Sequence, residues 1–331
     1  MHFSDLPHVP LLDGPTPLHR LHRIEQRQQR SGLYAKRDDQ MRLGLGGNKL
    51  RSLELWLGAA LAEEADLVIV AGAPASNQCR LTAAAAAFLG LECIVLYDGS
   101  PPPIETGNLL LTRLFGAKIR FLGPVDEDQR ALAAEREAER HRLMDRTPHI
   151  IGDPVLGAVG YVHAALELHA QSQAMGADIR HVFLPGSMGP TEAGLVFGNA
   201  MLGQPFRVHL VSVEYERAEL EARVRRIYDG LAAMTGCEVP DFALAPIEYH
   251  MAQLGQGYGI PTHASEQAIL TFARLEAIVL EHTYTAKTAA AFLEATRASM
   301  LQPDEPACFL HTGGIPALFG QAGLFTSLGT G

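Results

Sequence analysis

The sequence predicts an α/β protein built of two units, each a parallel β-sheet covered by helices. Three observations predict it. Strand-like apolar runs alternate with helical ones from Leu67 to Val213, and a βαβα order makes a parallel sheet with helices on both faces. At 331 residues the chain is too long for one small core and suits two domains of ordinary size. With 47% hydrophobic but only 7% aromatic residues, its interior is built from Ala, Leu and Val rather than from rings.

The first strand of the rhythm is Leu67 to Ala71, which leads through a Gly/Ser/Asn turn into an alanine-rich helix at Arg80 to Leu89. Cys93 to Tyr97 is the next strand, Gly107 to Phe115 a helix, Lys118 to Leu122 a strand, and Glu127 to Asp145 a charged amphipathic helix. After Gly152 the pattern resumes with a helix through Tyr161 to Met175, a strand at His181 to Leu184, a helix at Glu192 to Met201 and a strand at Val208 to Val213. Pro101-Pro102-Pro103 reads as a stiff surface connection, and the alternating charges of Ala131 to Arg142 as a solvated helix face. No internal repeat or low-complexity linker separates the halves.

The formal charge of −10 is spread without long basic runs, which argues against nucleic acid or an anionic membrane as partner and leaves small molecules. Cys79, Cys93, Cys237 and Cys308 are widely spaced and form no CxxC, so reduced thiols in a cytoplasm are expected. The N-terminus has no basic start followed by an apolar run, and no stretch approaches the roughly 18 apolar residues of a membrane span. Among the 14 histidines there is no HxxxH pair with a carboxylate at ligand spacing, so no metal site is expected, and His163 and His169 read as helix-surface residues.

Chemistry concentrates in turns. Gly46-Gly47-Asn48-Lys49-Leu50-Arg51 sets a lysine on a glycine-rich turn at the mouth of a helix. A lysine there can form a Schiff base with an aldehyde cofactor, although the same hexapeptide also suits an ordinary turn. Ser76-Asn77-Gln78 opens a helix where unpartnered amides suit a carboxylate, or where Ser76 or Asn77 acts as an N-cap. Gly186-Ser187-Met188-Gly189-Pro190-Thr191 lies between strand and helix, where backbone amides and the hydroxyls of Ser187 and Thr191 can cradle a phosphate. It matches neither the P-loop nor the dinucleotide fingerprint, and it is equally legible as a plain turn. Phe309 to Phe319 is an apolar strand breaking into a Gly-Gly turn, which points Thr312 at a sheet-end crevice.

In this order and spacing the segments resemble the type II pyridoxal-phosphate enzymes, in the group of D-cysteine desulfhydrase and 1-aminocyclopropane-1-carboxylate (ACC) deaminase. The resemblance runs from Thr16-Pro17-Leu18 to Phe319. It is carried by Lys36-Arg37-Asp38-Asp39, Gly46 to Lys49, Ser76 to Arg80, Leu156 to Tyr161, Tyr284-Thr285-Ala286-Lys287 and His311-Thr312-Gly313-Gly314. It implies a tryptophan synthase β-like two-domain fold, with a large cofactor-binding domain (residues 1–51 and 165–331) and a smaller α/β domain (52–164). It also implies a homodimer.

The resemblance further implies that Lys49 carries pyridoxal 5'-phosphate, that Asn48 beside it is a cofactor-binding residue, and that Asn77 hydrogen-bonds the ring oxygen. Gly186, Ser187, Met188, Gly189 and Thr191 would grip the phosphate, and Thr285 and Thr312 would lie against the ring. Ser76, Asn77 and Gln78 would hold the substrate carboxylate, with Tyr284 over the substrate; Lys49, Tyr284 and Ser76 are the catalytic candidates. ACC deaminases resemble one another in carrying Glu after the active-site Tyr and Leu before the Gly-Gly, whereas Thr285 and Thr312 stand here, as in the desulfhydrases. A neutral hydroxyl holds a proton on a ring nitrogen less well than a carboxylate does, which favours elimination over ring opening.

The expected function is therefore αβ-elimination from a small amino acid, D-cysteine by resemblance, giving sulfide, ammonia and pyruvate. ACC deaminase is the alternative, favoured by Gln78. Another lyase or racemase of the family, and a binding protein without turnover, are further readings. Gln78 in place of His, Gly152-Asp153-Pro154-Val155 in place of a Gly-Gly-Ser-type loop, and Pro190, which removes a backbone donor, depart from the desulfhydrase pattern.

Overall fold

The computed structural model describes residues 3–297 and 300–320. By backbone contacts they divide into two compact units: unit 1 is 3–5, 14–41 and 154–314, and unit 2 is 6–13, 42–153 and 315–320. The chain begins unit 1 with β1 (Leu18–Arg20), α1 (His22–Gln28) and β2 (Leu33–Arg37). Unit 2 follows as α2 (Lys49–Ala62), β3 (Leu67–Gly72), α3 (Asn77–Leu89), β4 (Glu92–Tyr97), α4 (Gly107–Leu114), β5 (Lys118–Phe121), α5 (Glu127–Arg142) and β6 (Pro148–Ile150). Unit 1 resumes with α6 (Pro154–Ala174), β7 (His181–Gly186), α7 (Pro190–Met201), β8 (Arg207–Ser212), α8 (Arg217–Thr235) and β9 (Ile247–His250), and then α9 (His263–Glu276), α10 (Thr285–Arg297) and β10 (Ala307–His311). The short α11 (Ile315–Phe319) returns to unit 2.

Unit 1 carries a sheet ordered β1-β2-β10-β7-β8-β9, parallel except for β1, which runs antiparallel to β2. Unit 2 carries an all-parallel sheet ordered β5-β4-β3-β6. Strands buried on both faces read as unbroken apolar runs: every residue of β7 and β10 is buried, as are Leu67 to Val70 of β3. In a parallel sheet all strands end on the same side. The turns after β3 and β6 therefore lie on one edge of the unit 2 sheet, and those after β2, β10, β7 and β8 on one edge of the unit 1 sheet, the edge where α/β proteins bind ligands.

Local signals account for several helix boundaries. Ser76 caps α3 by accepting from the Cys79 N–H at 3.2 Å, a contact worth about 1 kcal/mol, and Gly90 closes it at φ +75°. Asp126 and Gln129 form a capping box at the start of α5. That helix is less solvated than its charge pattern predicts: Ala134 and Ala138 join Leu67, Ile69, Ile94 and Leu96 in the unit 2 core, and Glu137 and His141 are buried beside them.

Two boundaries lie elsewhere than the sequence expectation puts them. Residues 42–51 group with unit 2, because Gly44 packs so closely on α3 that a Cβ there would stand 2.6 Å from Ala84 Cβ. The helix expected from Tyr161 begins at Pro154 and belongs whole to unit 1. It packs on α7 through glycines; a Cβ on Gly194 would come within 2.1 Å of the Ala158 carbonyl oxygen, and one on Gly198 within 2.8 Å of that of Val162. His163 is exposed, while His169 is half-buried with its ring edge toward Phe206 at 5.9 Å. Among the described residues no helix is long and apolar enough to cross a membrane.

Candidate active site

In unit 2, Lys49 is the first residue of α2 and half-buried. Gly46 (φ +68°) and Gly47 (φ +129°) take backbone conformations that side chains disfavour, and this sharp turn delivers the lysine to the helix start. Asn48, just before it, is buried.

The turn is held by Arg80, fully buried on α3. Its Nη2 donates to the Gly46 carbonyl at 3.0 Å, its Nη1 donates to the Gly44 carbonyl, and its Nε donates to Asn108 Oδ1 at 2.7 Å. Burial lowers the Arg80 pKa to about 10, so the guanidinium is charged at neutral pH while these partners are uncharged oxygens. Asn108 in turn donates from Nδ2 to Asn77 Oδ1 at 2.9 Å and to the Ala75 carbonyl at 2.6 Å. With its oxygen taken, Asn77 presents its own amide N–H groups as donors. One guanidinium thus positions both the Lys49 turn and Asn77.

Ser76 uses a lone pair as the α3 cap and retains its hydroxyl proton. Gln78 lies beside the 152–153 turn: a Cβ on Gly152 would be 3.6 Å from Gln78 Nε2. Asp153 is exposed, and its carbonyl accepts from Trp56 Nε1 at 2.7 Å. The nearby Cys79 is no nucleophile, because burial pushes its thiol up to about 12.

In unit 1, the loop after β7 reaches α7 through Gly189 at φ +106°, and Gly189 and Pro190 form the start of that helix. An N-cap glycine brings no side-chain acceptor, so first-turn amides there are placed as an anion site uses them. Ser187 behaves otherwise than the sequence suggests. Its N–H donates to the Glu192 carboxylate at 2.5 Å and its hydroxyl donates to that of Glu214, so both donors serve carboxylates of the protein. Thr191 is buried and Met188 exposed.

The start of α10 is organised by Glu281, whose carboxylate is wholly buried. It accepts from the N–H groups of Thr283 at 2.8 Å, Tyr284 at 2.9 Å and Thr285 at 2.8 Å. Burial raises its pKa against the pull of those amides. Thr285 Oγ1 accepts from the Glu281 N–H at 2.9 Å and donates to Glu281 Oε1 at 3.1 Å, which leaves one lone pair for any neighbour.

Tyr284 meets a residue that sequence reasoning passed over. Its hydroxyl stands 2.5 Å from that of Tyr258, with the rings edge to face at 5.8 Å. Burial raises the Tyr284 pKa well above its ordinary value, so the phenol keeps its proton and can act as a donor. The loop bearing Tyr258 is anchored by buried Lys287, which donates to the carbonyls of Leu254 at 2.8 Å and Gly257 at 2.9 Å. Gly255, Gly257 and Gly259 around a single tyrosine were the available signal.

At the end of β10, buried His311 accepts from the Gly313 N–H at its Nδ1 (3.2 Å) and donates from Nε2 to the Val279 carbonyl (2.8 Å), which fixes its neutral tautomer. That bond locks the turn carrying buried Thr312, with Gly313 at φ +97° and Gly314 at φ +82°. Lys36-Arg37-Asp38-Asp39 is structural. Lys36 pairs with Glu167, Arg37 forks onto Asp39 at 2.8 and 2.7 Å, and Asp38 accepts from Thr16 Oγ1 at 2.7 Å and from the Tyr161 hydroxyl at 2.5 Å.

In unit 2 an amine on a helix start, with an amide donor fixed by the same arginine network, suits an aldehyde cofactor, and in unit 1 a glycine turn at a helix N-terminus suits a phosphate. Residues 9–313 match the family of pyridoxal-phosphate dependent enzymes, and the chain belongs to it. Within that family it is similar to the D-cysteine desulfhydrases of Salmonella paratyphi B and Salmonella choleraesuis, each 36% identical over 332 residues that span 96% of this chain and 97% of the relative. A solved ACC deaminase homologue matches with a TM-score of 0.88 at 30% identity, covering 99% of this chain and all of that one. Threonine deaminase isoform 2 from Solanum lycopersicum, at TM-score 0.67 and 18% identity, shares the fold. The chain is a pyridoxal-phosphate-dependent lyase of the D-cysteine desulfhydrase and ACC deaminase group.

Proposed function

We propose that the enzyme eliminates the β-substituent of a small amino acid, D-cysteine foremost, releasing sulfide, ammonia and pyruvate. The observation that carries this is the 36% identity to D-cysteine desulfhydrases along 96% of the chain. Thr285 and Thr312, where a deaminase would carry Glu and Leu, agree with it.

In this reading Lys49, Asn77 and the loop from Gly186 to Thr191 hold the cofactor. When bound, pyridoxal phosphate supplies the electron sink for the pair left at Cα. The hydroxyl of Ser76 and the amides of Asn77 and Gln78 hold the substrate carboxylate at the positive end of α3. The Lys49 amine takes the Cα proton. The Tyr284 hydroxyl, protonated and backed by Tyr258, donates to the departing sulfur, and a water completes release of ammonia and pyruvate. Phosphate binding on the 186–191 loop requires the Ser187 hydroxyl to leave Glu214. We further infer a cytoplasmic homodimer, in keeping with four cysteines that are all unpaired.

Gln78 supports ACC ring opening as a second reading, since it stands where ACC deaminases carry Gln. Purified enzyme would be offered D-cysteine, L-cysteine, β-chloro-D-alanine and ACC, and pyruvate and 2-oxobutyrate measured. Sulfide and pyruvate from D-cysteine support elimination. 2-Oxobutyrate from ACC alone replaces it with the deaminase reading, and no product from any of the four favours a binding protein.

A further inference from the structure

Three neighbouring strands of unit 1 carry histidines in one row: His181 on β7, His209 on β8 and His250 on β9. His181 Nε2 lies 3.2 Å from Glu305 Oε2, His181 Nδ1 lies 2.9 Å from His209 Nε2, and His209 Nδ1 lies 2.8 Å from His250 Nε2. A neutral imidazole has one N–H and one lone pair, so the carboxylate at one end orders the row. Glu305 accepts, which puts the His181 proton on Nε2 and makes its Nδ1 an acceptor. His209 therefore carries its proton on Nε2, and its Nδ1 bears a lone pair.

That lone pair accepts from His250 Nε2, and a second carboxylate lies near both rings. Glu248 Oε2 is 3.7 Å from His209 Nδ1, and Glu248 Oε1 is 3.8 Å from His250 Nε2. Glu248 and His250 are two apart on β9 and so share a face of the strand, opposite His209 in the β8 register. His209 is fully buried and stacked flat on Phe183, with centroids 4.0 Å apart and planes 6° apart, so its ring cannot swing away. Burial holds all three histidines below their ordinary pKa, in the neutral form a metal ligand needs.

We propose that His209 Nδ1, His250 Nε2 and the Glu248 carboxylate bind a divalent ion of the zinc class. The donor atoms already lie within 4.8 Å of one another. Ligands around a tetrahedral zinc with bonds of about 2.0 Å stand about 3.3 Å apart, so the two imidazoles part by roughly half an ångström and the Glu248 carboxylate swings in by up to about 1.5 Å to complete the geometry. His250 moves its proton to Nδ1, and Glu248, at 40% exposure, admits the ion from solvent and leaves a fourth position for water. Glu305 and His181 form the outer shell that fixes the His209 tautomer. The ion would tie edge strand β9 to β8 without touching the residues assigned to the lyase reaction. Sequence spacing hid this site because its ligands come from two strands, whereas the HxxxH pattern finds ligands on one helix.

The test uses holoenzyme freed of metal by chelator and titrated with Zn2+ by calorimetry, with thermal melting in parallel. One Zn2+ per chain and a raised Tm are expected. Glu248→Gln, a change at a part-exposed side chain that leaves the core intact, should weaken binding at least tenfold, and Glu248→Gln with His250→Ala should abolish it. His149→Ala, which alters a histidine of unit 2, should bind as wild type. Failure of wild type to take up Zn2+, wild-type affinity in Glu248→Gln, or an equal loss in His149→Ala would each overturn the site.

Discussion

The candidate functional residues of unit 2 and those of unit 1 are held by opposite charges. In unit 2, buried Arg80 grips carbonyl oxygens and an amide, and so fixes the Lys49 turn and Asn77. In unit 1, buried Glu281 grips backbone N–H groups and so fixes Tyr284 and Thr285, while Glu192 and Glu214 hold Ser187. Each ion serves as scaffold for its neighbours. A cation organises the peptide oxygens around the amine, and an anion organises the peptide amides around the phenol, so removal of either leaves several buried partners unsatisfied at once.

The comparison breaks most visibly at the group that one side exists to present. Lys49→Ala should remove the visible absorbance of bound cofactor and lower turnover of D-cysteine by about 10²- to 10⁴-fold; a yellow, active variant would end the assignment of this lysine. Arg80→Met should follow, with a loss of about 3 kcal/mol or more in urea unfolding and a fall in kcat, because the Gly44 and Gly46 carbonyls and Asn108 lose a common donor. An unchanged kcat in a folded Arg80→Met enzyme would show that the turn holds itself. Glu281→Gln should lose about 2 kcal/mol, since the amide turns an NH2 group toward peptide N–H donors. If that carboxyl were protonated in the folded protein, glutamine would mimic it and the loss would vanish.

Acid should also weaken unit 1. Burial holds His181, His250 and His311 below their ordinary pKa of 6.5 and takes His209 down to about 2. A depressed folded pKa means that the unfolded chain binds protons the folded chain refuses. This stabilisation is present above pH 6.5 and is lost as pH falls below it, with His209, whose folded pKa lies far below that range, contributing about 1.4 kcal/mol per pH unit. Urea midpoints measured from pH 7.5 to about pH 5 should fall accordingly, and His209→Asn should flatten the slope. The smallest effect belongs to the tyrosine pair: Tyr258→Phe should cost about 1 kcal/mol or less in stability and lower kcat several-fold, with KM little changed.

What could be read in the sequence follows from how local each signal is. β3, β4, β7 and β8 are apolar runs bounded by turn residues, and Lys49, Ser76, Asn77 and the Gly186–Thr191 loop sit on turns whose residue types announce them. The partners that orient these groups were not legible. Arg80 reaches back to Gly44 and Gly46 and across to Asn108, Tyr258 meets Tyr284 through a loop anchored by Lys287, and Glu281 looks like any acid ahead of a helix. The Ser76 cap shows the converse. The plain structural reading holds and is compatible with the proposed functional one, because a hydroxyl that accepts from Cys79 still has a proton to give.

The network around Arg80 bears on how such a site could be transplanted. The hexapeptide around Lys49 is not portable by itself, since its backbone shape is dictated by a side chain from the next helix but one strand away, which answers in turn to an asparagine on α4. The smallest graft that keeps amine and amide donor in register runs from Gly44 to Asn108, two strands, two whole helices and the first residues of a third. A designer who copied only the lysine and its glycines would inherit the reactive group without the coordinates that make it useful.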